Sequence, residues 1–216
     1  MLNQQSGPFN LSYTAGINDV VRHKPAIGYE VGGALLYKVS NRVRVKVGLQ
    51  FNVRQYYIDA YQSLLSTASI AIVGGNGLDT MVSITSISNN NGYGKTKLDN
   101  KLYQISTPLG FEYDILNFKK FALTAGASIQ PTYTLNKSLY VISTDYKYYT
   151  NGDPYLRKWN INSSVELNLS YKVGDYKIFI GPQVRYQHLP TYSDLYPIKE
   201  HRLDYGLKIG FTKPIF

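Results

Sequence analysis

The chain has 216 residues, a formal net charge of +9, 17% charged and 14% aromatic residues, with 21 Tyr against a single Trp. So few charges are unusual for a soluble domain, where about 25% is typical. The lack of Cys excludes a disulfide framework and a thiolate metal site. No apolar run reaches the length of a membrane-spanning helix.

The opening, MLNQQSGPF, lacks the charged-then-apolar pattern of a secretory leader, so either a leader has been removed or the chain is a piece of a longer protein. FNLSYTAGI (9–17) then alternates apolar and polar residues, and the same period-2 pattern runs through IGYEVGGALLYKV (27–39) and RVRVKVGLQFNVRQYYI (42–58). Side chains of a strand point alternately to opposite faces, so each stretch predicts a β-strand with one apolar and one polar face. The pattern returns in YQISTPLGFEYDI (103–115), FALTAGASIQPTYTL (121–135), WNINSSVELNLSY (159–171), KIFIGPQVRYQ (177–187) and RLDYGLKIGFT (202–212). That makes eight predicted strands, each long enough to cross a bilayer when tilted. Prolines at 108, 131 and 182 fall inside them and predict bulges.

Short turns at 40–41, 116–120 and 173–175 alternate with longer connections near 18–26, 59–102, 136–158 and 188–201. In an up-and-down barrel this sets every short turn and both chain ends at one rim and every long loop at the other, as in outer-membrane barrels. Within 59–102, the alternation on both sides of GGNG predicts a hairpin standing above the barrel. The whole chain reads as a single domain, 1–216.

Alternation alone also suits a soluble ligand-binding barrel, so the face that points inward must be decided. The polar face is mostly Gly, Ser, Thr, Asn and Gln, too poor in charge for a water-facing surface and suited to a narrow lumen. Its acids Glu30, Glu112, Glu166 and Asp204 nearly balance its bases Lys46, Arg54, Arg185, Arg202 and Lys208, as buried charges must. On the apolar face, Tyr37, Tyr113, Phe121 and Tyr171 lie by the short turns. Tyr57, Tyr103, Tyr133 and Trp159 lie by the long loops, giving two interfacial girdles. The valines of 42–58 are therefore expected to face lipid.

These features resemble the small outer-membrane β-barrel proteins of Bacteroidota, over nearly the whole chain and most specifically in TPLGFEYDI (107–115), GASIQPTY (126–133), ISTDYKYY (142–149) and the stretch 181–213. The resemblance implies an outer-membrane location, a terminal signal at Phe216 for the barrel assembly machinery, and two contexts. The barrel type stands alone, or it forms the C-terminal anchor of a membrane-spanning anti-sigma signalling protein. Phe216 shares parity with Thr212 and Pro214 rather than with Phe211, so the usual alternating terminus is broken.

Chemistry is sparse. His188, Ser193 and Asp194 lie near the long-loop rim with His201, where a lipid A-modifying enzyme would need nucleophile, base and acid, but HLPTYSD sets no such geometry. No catalytic residue, metal site or cofactor is assigned. Eight strands leave a lumen filled by side chains, which argues against a diffusion pore. No basic run interleaved with stacking aromatics points to nucleic acid. Arg22, His23, Lys24, Lys95, Lys97, Arg157 and Lys158 are rim cations that either meet lipopolysaccharide phosphates or are simply solvated. Tyr140, Tyr146, Tyr148, Tyr149, Tyr155, Tyr192 and Tyr196 form the candidate surface for a protein partner, the alternative being that these loops pack on themselves. The reading is a monomeric, non-catalytic, eight-stranded antiparallel outer-membrane barrel with a plugged lumen, its chain ends periplasmic, acting structurally or through its surface loops.

Overall fold

The computed structural model describes the backbone of residues 23–74 and 77–213. The predicted strand 9–17, most of the 18–26 connection and Phe216 lie outside the described residues. Antiparallel strands dominate: β1 (His23–Pro25), β2 (Tyr29–Lys38), β3 (Val43–Gly74), β4 (Gly77–Ser88), β5 (Gly94–Ser106), β6 (Leu109–Phe118), β7 (Phe121–Ser138), β8 (Tyr140–Ile142), β9 (Tyr149–Asn151), β10 (Trp159–Val173), β11 (Tyr176–Gln187) and β12 (Leu203–Thr212). A 3-10 turn, Asp153–Tyr155, lies between β9 and β10.

One sheet runs from β1 and β2 through β3, then β5 and β6, then β7, β10 and β11 to β12. β5 and β6 act as one strand, because their registers against β3 and against β7 continue unchanged across Thr107-Pro108. The bulges predicted at the prolines do not occur. Pro131 and Pro182 also sit in unbroken register, opposite Ile161 and Leu207. The carbonyls of Pro108 and Pro131 still accept from Gly48 N–H and Thr107 N–H at 2.9 and 3.0 Å. Each proline removes one donor and leaves the pairing intact. The register shifts fall instead between Tyr103 and Gln104 and between Asp114 and Leu116.

The short connections are tight. Phe118 pairs with Phe121 across Lys119-Lys120, and Val173 with Tyr176 across Gly174-Asp175. Gly174 has φ +60, in the left-handed region open to glycine without a Cβ penalty.

The 59–102 connection is not a loop. β3 continues through it for 32 residues in all, a span of about 100 Å at the usual rise per residue. β4 returns along it in a hairpin that closes at Gly74 and Gly77, as the alternation around GGNG predicts. β5 then descends on the other edge of β3, with Gln62 opposite Gly94.

Burial follows the alternation inside out. Along β10, Asn160, Asn162, Ser164, Glu166, Asn168 and Ser170 are buried while Trp159, Ile161, Val165, Leu167, Leu169 and Tyr171 are exposed. β3, β7 and β11 divide in the same way, with Asn52, Gln130 and Arg185 buried against exposed Val47, Ile129 and Val184. A wall that hides its amides and shows its aliphatics is stable only where the outer solvent is lipid. The aromatic pairs Phe121–Tyr171 and Tyr133–Trp159, each 4.9 Å between centroids, stand at the two ends of the outward face. Phe121 and Tyr133 are separated along β7 by roughly 40 Å, or about 30 Å of height at a 40° tilt, which matches a bilayer core.

The apolar core lies at the long-connection end. Ile58, Ala60, Ile70 and Ile72 of β3 and Leu98 and Leu102 of β5 pack against Leu139, Val141, Ile142, Tyr149, Tyr155, Leu156, Tyr192, Tyr196 and Ile198. The connections after β7 and β11 thus fold down as a cap on the extended strands.

A polar lumen and a tyrosine cap: the candidate functional site

The lumen is built from even-numbered residues of β3 facing residues of the opposite wall. Lys46 Nζ reaches Glu166 Oε1 at 2.5 Å, and Lys208 Nζ donates to Glu166 Oε2 at 2.7 Å. Glu166 fits because its neighbour across the β7–β10 ladder is Gly126, where a Cβ would lie 2.8 Å from the Glu166 Cγ. Nearer the short turns, Arg44 spans Glu112 at 3.3 Å and Asp114 at 2.7 Å, and Lys46 stands 4.0 Å from Glu112. Higher in the lumen, Arg185 pairs with Glu30, and Arg54 pairs with Asp204 at 2.7 Å while donating to Gln187 at 3.0 Å.

Neutral groups join these charges. Asn52 Nδ2 donates to Ser106 Oγ at 2.7 Å, Ser106 bonds Thr132 at 2.8 Å, and Asn162 Nδ2 donates to Thr132 at 2.7 Å. Gln130 donates to both Ser128 and Ser164. Polar groups removed from water are thereby paired across strands.

Eight of the nine residues anticipated from sequence as lumenal charges meet a lumenal partner of opposite sign. Arg202 does not. It lies at the cap boundary, bonded to Glu200 at 2.9 Å and to the Tyr56 hydroxyl at 3.2 Å, with its guanidinium 4.8 Å from the Tyr56 ring. Arg44 and Asp114 were missed as members of the network. Both lie on the polar face beside the short turns at 40–41 and 116–120, so parity and rim position together could have found them.

The tyrosines fare differently. Tyr149, Tyr155, Tyr192 and Tyr196 are at most 4% exposed and belong to the cap core, so as placed they offer no surface to a partner. Their hydroxyls explain why: Tyr196 donates to Ile142 O at 2.8 Å, Tyr149 to Asn89 Oδ1 at 2.8 Å, and Tyr155 to Met81 Sδ at 3.4 Å. Burying a ring with its polar tip satisfied is favourable, and it is what tightens these loops. Burial pushes the Tyr192 and Tyr196 hydroxyls well above the ordinary phenol value. Tyr140, Tyr146 and Tyr148 remain partly exposed.

Of the residues weighed as an enzyme, Asp194 and the two histidines have other neighbours, and the Ser193 hydroxyl has no hydrogen-bond partner among the described residues. Asp194 accepts from Lys199 at 2.8 Å and lies 3.4 Å from Arg157; the Lys199 hydrogen bond, then the two charges, hold its carboxyl below the usual range. His188 packs edge-on to Tyr186 at 5.2 Å, and His201 stacks on the same ring at 6.3 Å. Among the described residues, no three His, Asp or Glu side chains cluster as metal ligands do.

An antiparallel sheet with lipid-compatible outer faces, paired charges within and a cap over one rim defines a transmembrane β-barrel. Residues 3–216 match the outer membrane protein β-barrel domain, and the chain belongs to that family, which places it in an outer membrane. No curated protein and no solved structure matches it.

Proposed function

We propose that the protein is a non-catalytic outer-membrane barrel, closed by its own lumenal side chains, that carries its capped end outside the cell and its chain ends in the periplasm. The single observation that supports this most is the set of ion pairs spanning the lumen: Lys46–Glu166–Lys208, Arg54–Asp204 and Arg185–Glu30. Side chains that reach across a narrow barrel and neutralise each other leave neither a channel nor a charge to attract a solute. The role is structural, or interactive through the long-connection end, with lipid and lipopolysaccharide around the wall and the barrel assembly machinery as partners.

Planar-bilayer recording tests the closed lumen. The refolded chain is expected to give no stepwise conductance, and a reproducible unit step would overturn the reading. Protease added to intact cells should cut near the exposed Tyr93 and spare the short turns. Substituting His188→Ala should leave lipid A composition unchanged; altered acylation would reinstate an enzyme.

A further inference from the structure

The tight turns of the short-turn rim bring three lysines side by side. Lys172 of β10 pairs with Lys177 of β11, one rung inside the Gly174-Asp175 turn. A two-residue turn makes Val173 and Tyr176 the hydrogen-bonded pair, so the next rung is the closer kind, about 4.5 Å between Cα atoms. On the other flank, Lys172 N–H donates to Lys120 O at 2.8 Å. That bond carries the β7–β10 register one step past Tyr171–Phe121 and sets Lys120 opposite Lys172. Like charges on adjacent strands repel and lower stability. Among the described residues none of the three lysines is in an ion pair, and Asp175, at the exposed tip of the turn, makes none either.

Lys172 and Lys177 face the lumen. Lys172 has the parity of buried Asn168 and Ser170, and Lys177 that of buried Arg185. The Phe121–Tyr171 ring pair, one rung away, stands on the outward face. The row therefore opens on the aqueous mouth of the barrel, with the wall between it and lipid. Deeper in, the Phe179 ring lies across Gly210, where a Cβ would fall 2.4 Å from its Cζ, and Lys208 Nζ stands 5.7 Å from the ring centre. Phe179 thus parts the row from the Glu166 ion pairs. Arg44 is neutralised by Glu112 and Asp114, but Lys38, Arg42 and Lys119 of the neighbouring turns are exposed and raise the positive potential further.

We propose that the Lys120–Lys172–Lys177 row is a docking site for an acidic segment of a periplasmic polypeptide. Its lumenal face turns it away from lipid headgroups. It presents separate point charges and no arginine fork, which suits carboxylates spaced along a chain better than a single phosphate. A second copy would bring the same bases to the contact. Outside the described residues, the chain 1–216 holds one acid, Asp19, and so supplies no acidic run of its own. The periplasmic source of the ligand rests on the orientation proposed above, with the short turns inward.

The full chain, refolded into phosphatidylcholine nanodiscs, is titrated with a fluorescein-labelled oligoglutamate peptide at low salt, and binding is read by fluorescence anisotropy. Lys120→Gln/Lys172→Gln/Lys177→Gln should weaken binding by about 10-fold, taking three solvated ion pairs at mid-range. Lys95→Gln/Lys97→Gln/Lys158→Gln, which removes the same charge from exposed positions at the capped end, should leave the affinity unchanged. The row variant should also unfold in urea no earlier than the unaltered chain, because it relieves a repulsion; earlier unfolding would mark the lysines as structural. Undiminished binding by the row variant, or equal loss in both variants, overturns the proposal. Polyphosphate binding more tightly than oligoglutamate, with the same lysine dependence, would overturn it in favour of a soluble phosphate. A lysine effect that emerges only with phosphatidylglycerol in the disc would overturn it in favour of a lipid headgroup. A heat-induced mobility shift is read on every sample. A normal shift without lysine-dependent binding sinks only the row, whereas cleavage of the short turns by protease added to intact cells sinks the orientation and with it the periplasmic source.

Discussion

Substituting Glu166→Gln changes almost no volume and removes one charge from the centre of the lumen. The Glu166 side chain is 2% exposed and holds two ammonium groups, Lys46 at 2.5 Å and Lys208 at 2.7 Å. The variant leaves Lys46 with Glu112, 4.0 Å away, and Lys208 loses its ion-pair partner. Removing one member of a buried ion pair costs about 3–5 kcal/mol, because the remaining charge stays desolvated. The expected loss is therefore of that size, and no cavity contributes to it. Urea unfolding of the chain in lipid vesicles measures it, with Trp159, the single tryptophan, as the reporter on the outward face. Replacing the triad together, Lys46→Met/Glu166→Leu/Lys208→Met, should recover most of the loss, since an apolar triad carries no desolvated charge. A cost under about 1 kcal/mol for Glu166→Gln, the worth of a solvated pair, would mean that water fills the lumen, and the closed-barrel reasoning would fail.

Leu167 lies mid-strand on the outer face beside Glu166. Leu167→Arg should cost about 2–4 kcal/mol in a bilayer by the same unfolding assay, and a neutral result would remove lipid from that face. Tyr196→Phe deletes the bond to Ile142 O; a loss of about 1 kcal/mol should speed proteolysis of the 188–202 segment while the barrel keeps its heat-shifted mobility. Burial raises the hydroxyl pKa of Tyr149, Tyr192 and Tyr196, so folding favours their neutral form. Their stabilising contribution is complete below the ordinary value of 10.0 and is lost as pH rises through the raised values. Tyrosinate absorbance should thus show a late-titrating group accompanied by cap opening, and a single unshifted titration would contradict the packing.

The wall was legible because lipid imposes a simple rule, one face apolar and one polar, that survives in the order of residues from Val43 to Phe51 and from Trp159 to Tyr171. The hairpin around Gly74–Gly77 was legible for the same reason. The prolines misled because a missing donor can be absorbed as one absent ladder bond, as at Pro182, without inserting a residue. Tyr149, Tyr155, Tyr192 and Tyr196 were weighed as a surface or as a self-packed cap, and composition could not choose. What decides is that β3 and β5 extend upward to offer Ile70, Ile72 and Leu98 as a floor. Arg202 was assigned to the lumen by parity, yet the strand begins only at Leu203, so the alternation that places Asp204 inside has no hold on its neighbour across the boundary.

The length of β3 has a mechanical meaning. One continuous strand is both membrane wall and mast, so the cap is not carried on a flexible tether. Below Gln62, β3 is stiffened by a neighbour on each edge, first β2 and then β1 on one side and β6 then β5 on the other. Between Gln62 and Ser66 its register with β4 shifts, and Leu64 and Leu65 stand exposed there. A sideways load on the hairpin tip therefore acts through a long lever arm whose bending concentrates at that discontinuity. Force arriving at the tip is delivered there, roughly 20 Å above Tyr103, rather than into the ion pairs of the lumen.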